Sequence, residues 1–71
     1  MMTREQAQNI RSGMTKQQII QAYGKPARVN TTRVEGKVRE QWVYATAESM
    51  AGMGPRVYVY FENEEVVGVQ Y

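Results

Sequence analysis

The strongest constraint on this chain is a change of hydrophobic period at Gly24-Lys25-Pro26. Before it, apolar residues recur at helical spacing; after it, they alternate. A period of roughly 3.6 belongs to a helix with one apolar face, and a period of 2 to a strand with one buried side. Helices gathered in front of strands predict an α+β fold with an antiparallel sheet.

The helical half carries its own start and stop signals. Thr3 is placed as an N-cap, with Gln6 three residues later completing a capping box, so a short helix is predicted over Thr3 to Ile10. Its apolar stripe is only Ala7 and Ile10, and Ser12-Gly13 breaks it. A second helix starts at Thr15, with Gln18 at the capping-box position and Met14 and Ile19 at the positions of a hydrophobic staple. Ile19, Ile20 and Tyr23 form its apolar face, Gly24 suits a left-handed C-terminal stop, and Pro26 forbids continuation. Lys25 and Arg28 follow the helix end, where a cation complements the dipole.

Beyond Pro26 the chain reads as four strands. Arg28 to Glu35 and Val38 to Ala45 form a hairpin about Gly36-Lys37. Residues 46–55 are a loop marked by two glycines and a proline. Arg56 to Glu62 is the clearest strand, Asn63-Glu64 turns the chain, and Glu65 to Tyr71 closes it. The expected order is ααββββ, with two N-terminal helices packed on one face of a three- to four-stranded antiparallel sheet, in one domain over residues 1–71.

Alternation assigns the faces. Val57, Val59 and Phe61 point inward, as do Val38, Trp42 and Tyr44, and Val67, Val69 and Tyr71 on the last strand. The expected core is Ile10, Met14, Ile19, Ile20, Tyr23, Val38, Trp42, Tyr44, Val57, Val59, Phe61, Val67 and Val69. Val43, Tyr58, Tyr60 and Val66 fall on the open face. Tyrosine packs well on any pleated surface, so these residues serve the sheet alone on one reading. On the other they form an apolar, aromatic interaction surface. Met50 and Met53 in the long loop suit adaptable contacts, although such loops also serve as plain connections. Lys37, Arg39 and Glu40 read as solvated cross-strand charges.

Composition removes whole classes of chemistry. The chain has 71 residues, with no Cys, His or Asp. Thiol nucleophiles, Cys/His zinc sites, histidine bases, EF-hands and aspartyl dyads are therefore excluded. The remaining Ser, Thr, Lys and Glu have no evident activating partner, so neither an enzyme nor a cofactor is expected. A chain this short buries only about 60% of its unfolded surface, which makes a homodimer plausible. Nine basic residues against seven acidic ones give a formal charge of +2, but they are spread along the chain. Nucleic-acid binding is not expected, because glutamates share the strands and turns with the arginines and aromatics. No apolar run is long enough to span a membrane, and no apolar segment follows Met1-Met2-Thr3-Arg4-Glu5 as in a signal peptide.

Five segments in order carry a resemblance: Gly13-Met14-Thr15-Lys16, Ile19-Ile20, Tyr23-Gly24-Lys25-Pro26, Glu40-Gln41-Trp42-Val43-Tyr44 and Val59-Tyr60-Phe61. From about Ile10 to the C-terminus the chain resembles the SmpA/OmlA family, the BamE-like small lipoproteins of the Gram-negative outer membrane. The resemblance implies a fold shared with β-lactamase-inhibitor proteins, a place on the periplasmic side of the outer membrane, and support of the machinery that inserts β-barrel proteins. Membrane contact is then expected only through a lipid anchor that this chain does not carry. The last turn departs from the family pattern: Asn63-Glu64 stands where Asn-Gly is usual. Glutamate disfavours the positive φ of a type I′ turn, and a strained hinge favours a strand-exchanged homodimer.

The expected function is a non-catalytic, protein-binding module of the cell envelope, with Val43, Met50, Met53, Tyr58 and Tyr60 as its contact residues. The alternative is an enzyme inhibitor or envelope stress protein acting through the 47–54 loop.

Overall fold

The computed structural model describes residues 2–46 and 56–71. Two helices come first: α1 over Arg4–Ala7 and α2 over Lys16–Tyr23. Four strands follow: β1 Arg28–Val34, β2 Lys37–Ala45, β3 Arg56–Glu62 and β4 Glu65–Gln70. The strands form one antiparallel meander in chain order. The α+β class predicted from the change of period is therefore observed.

Both capping boxes form. The Gln6 and Gln18 amides donate to Thr3 and Thr15 Oγ1 at 3.0 and 3.1 Å, and each glutamine side chain accepts from its cap's N–H in return. Helix α1 is shorter than expected. After Ala7 the bonding tightens, with Asn9 and Ile10 N–H donating to the carbonyls of Gln6 and Ala7 three residues back. Ile10 still reaches the core. Gly24 stops α2 at φ +82°, a conformation that only glycine adopts without strain.

Segment 13–16 does more than end one helix and begin the next. Gly13 N–H donates to Val66 O, Val66 N–H to Met14 O, and Lys16 N–H to Glu64 O, at 2.9, 2.8 and 3.1 Å. Thr15 thus bridges Glu65 and covers the first half of the β4 edge, leaving β1 as the fully exposed edge strand. The start of α2 is tied to the last strand across some fifty residues of chain, and this pairing left no signal in the local pattern.

One buried cluster joins Met2, Ala7, Ile10 and Ile19 to Trp42, Tyr44, Val57, Val59, Phe61 and Val66. Met14, Ile20, Tyr23 and Val69 pack partly against it. Trp42 and Phe61 meet with ring centroids 4.4 Å apart. The Tyr44 hydroxyl donates to the Gly24 carbonyl at 2.7 Å, and burial pushes its phenol up to about 12.

Strand β4 corrects the expected faces. Val66, placed outward by alternation, is buried, whereas Val67 and Tyr71, placed inward, are 55% and 51% exposed. The cause is a bulge: Phe61 pairs with Val66 but Tyr60 pairs with Gly68, so Val67 is an extra residue. Parity flips across it, which lets Val66 and Val69 both face the core.

The turns differ from expectation as well. The first hairpin turns on Glu35-Gly36 rather than Gly36-Lys37, with φ of +51° and +78°, the sign pattern of a type I′ turn. At the last turn only Asn63 takes a positive φ, of +55°, and Asn tolerates this well. Asn63 is also anchored to Val38 by two hydrogen bonds, one through its backbone N–H and one through its side-chain oxygen. The strain expected at Glu64, on which strand exchange was to draw, is absent.

Candidate protein-binding face

The face of the sheet away from the buried cluster is built by strand alternation. Register places Arg28, Asn30 and Thr32 of β1 beside Val43, Gln41 and Arg39 of β2, which in turn face Tyr58, Tyr60 and Glu62 of β3. Val43 and Tyr58 are direct cross-strand partners and both are half-buried. Such pairs bring side chains within contact range, so the two share one small apolar floor.

Tyr60 lies on the same face but plays a different part. Its hydroxyl accepts from Gln41 Nε2 at 3.3 Å and donates to Gln70 Oε1 at 2.9 Å. Gln41 Oε1 in turn accepts from Asn30 Nδ2 at 2.9 Å. One polar row therefore crosses all four strands, Asn30–Gln41–Tyr60–Gln70, and the Tyr60 ring lies near Gly68, where an added Cβ would sit 3.9 Å from it. Of the five predicted contact residues, Val43, Tyr58 and Tyr60 share the face, with Tyr60 held by the sheet's own network. Met50 and Met53 lie outside the described residues. The row was not foreseen: alternation alone puts Gln41 and Gln70 outward, but the register that brings Gln70 beside Tyr60 depends on the β4 bulge.

The row divides the face into two shallow concavities. One, of about 450 Å³, lies over Val43 and Tyr58 between Arg28 and Arg56. The other lies over Thr32, Val34, Gly68 and Val67. At this second end Lys37 and Arg39 both reach the Glu62 carboxylate, each at 3.4 Å, as the expectation of cross-strand charges requires.

Glu40 departs from that expectation. It sits on the inner side, where its carboxylate accepts from Lys16 Nζ at 2.6 Å and from Trp42 Nε1 at 2.7 Å. Lys16 also reaches Glu64 at 3.4 Å and lies 6.0 Å from the Phe61 ring centre. Burial alone would raise the Glu40 carboxyl, but the bonds from Lys16 and Trp42 and the lysine charge outweigh it and leave Glu40 below its ordinary value. Burial likewise works against the Lys16 charge, but Glu40 and then Glu64 hold the ammonium above its ordinary value. This network fixes α2 on the sheet.

A family model described as the outer membrane protein assembly factor BamE domain matches residues 1–71. The chain belongs to the BamE-domain family. No curated protein and no solved structure matches it. The segments that carried the resemblance are chiefly fold residues of this BamE domain. Thr15 caps α2, Gly24 ends it, Trp42 and Tyr44 are buried, and Lys16 pairs with Glu40. Among the described residues, no helix is long and apolar enough to cross a membrane.

Proposed function

We propose that this chain is a single, non-catalytic protein-binding module that works on the periplasmic side of the outer membrane. In this reading the two helices cover one face of the sheet, as in β-lactamase-inhibitor-like folds, and the opposite face docks a protein partner in outer-membrane protein assembly. The observation that carries the reading is the Val43–Tyr58 pair, an apolar floor half-open to solvent on the face away from the core. Family membership supplies the setting.

Co-purification from an envelope fraction tests it. Val43→Glu places a charge on the floor and should abolish partner retention while the chain still melts cooperatively. Val29→Glu, on the opposite side of the edge strand and already 46% exposed, should leave retention unchanged. Retention that survives Val43→Glu would assign the partner to another surface.

A further inference from the structure

Two arginines bracket the Val43–Tyr58 floor. Arg28 is the register partner of Val43, and Arg56 stands two residues before Tyr58, opposite Ala45. Alternation puts all four side chains on one face. They line the same concavity with Ala27, Asn30 and Gln41, and among the described residues no acidic one lines it. Neither arginine forms an ion pair among the described residues. The other end of the face is different, since Lys37 and Arg39 there share Glu62 as a counter-ion.

We propose that this end of the sheet binds an extended acidic segment of a protein partner. Two carboxylates engage Arg28 and Arg56, and an apolar side chain between them rests on Val43 and Tyr58. The proposal deepens the docking-face reading and rests on it. Guanidinium forks match carboxylates in shape and charge. The spacing agrees with a strand-like ligand. Two strand separations of about 4.8 Å and an offset of two residues place the arginine backbones about 12 Å apart. In an extended ligand, residues i and i+4 lie about 13 Å apart on one side, with i+2 between them. The recognised pattern is therefore acid, any, apolar, any, acid. A bilayer surface fits less well, because a plane of anionic headgroups laid across the face would also meet Glu62.

The probe is the blocked pentapeptide Glu-Ser-Leu-Ser-Glu, titrated into the full chain and followed by backbone amide NMR shifts. Shifts should centre on Arg28, Val43, Arg56 and Tyr58. The peptide with Gln in place of both Glu should bind about tenfold more weakly or worse, on the scale of lost charge-assisted contacts. Arg28→Glu with Arg56→Glu should abolish binding of the acidic peptide and admit the Lys-Ser-Leu-Ser-Lys version. If that double reversal does not fold, Arg28→Gln with Arg56→Gln should likewise abolish binding of the acidic peptide. Equal binding of acidic and neutral peptides, or shifts centred elsewhere, would overturn the proposal. Phosphatidylglycerol vesicles binding through the two arginines without competition from the peptide would overturn it in favour of a lipid. If Val43→Glu abolishes partner retention but the arginine variants keep it, the docking face stands and the acidic chemistry falls.

Discussion

Val66→Asp leaves the chain largely unfolded at room temperature, whereas Val67→Asp changes its melting temperature by no more than a few degrees. The two valines are neighbours in sequence and would exchange roles under strict alternation. Val66 is 2% exposed and belongs to the buried cluster, while Val67 is the bulged residue and is 55% exposed. A carboxylate forced into an apolar core without a partner costs several kcal/mol. A domain of this size has roughly 3–5 kcal/mol of stability to lose. Circular dichroism melts of both variants decide the matter. If Val67→Asp proves the damaging change, strand β4 alternates regularly and the bulge between Val66 and Gly68 is wrong.

The second large effect falls on Glu40→Ala. It removes the counter-ion of Lys16, whose side chain is 18% exposed, and the acceptor of the Trp42 indole N–H. Leaving the ammonium with only its longer contact to the exposed Glu64, and the buried indole N–H without its acceptor, costs ~2–3 kcal/mol. For a domain of this length that corresponds to a fall of about 10–20 °C in melting temperature. The pH dependence has a definite sign on both flanks. Glu40 is held below the ordinary carboxylate value of 4.5, so its contribution is complete above that pH and is lost as pH falls through the lower folded value. Lys16 is held above 10.5, so its contribution is complete below that pH and is lost as pH rises through the higher folded value. Denaturant titrations of wild type and Glu40→Ala should therefore differ by a constant amount across the neutral range and converge toward both extremes. A difference that does not vary from acid to alkali would show that the ion pair contributes nothing beyond packing.

The features legible in the sequence share one property: each is written within a few adjacent residues. Thr15 and Gln18 declare a helix start, Gly24 and Pro26 a stop, and Val57 to Phe61 a strand with one buried side. The features that were missed depend on residues far apart. The bulge at Val67 is invisible to alternation, because an extra residue alters parity without altering composition. The pairing of 13–16 with Glu64–Val66, and of Lys16 with Glu40, joins segments that no local pattern connects. Glu40 was read as solvated for that reason, although its even position on β2 already shared a face with Trp42 and Tyr44. For the candidate face, Val43 and Tyr58 were legible from alternation alone. Arg28 and Arg56 were not, because their relation to that pair depends on the register between three strands.

The central claim, that the Val43–Tyr58 face docks a protein partner, is tested most directly by photo-crosslinking in living cells. A photoreactive side chain would replace Tyr58, and in a parallel experiment Val29 on the opposite side of the sheet. A discrete adduct with an outer-membrane assembly protein is expected from position 58 and none from position 29. An adduct from position 29 with none from position 58 would place the partner on the other face and contradict the account.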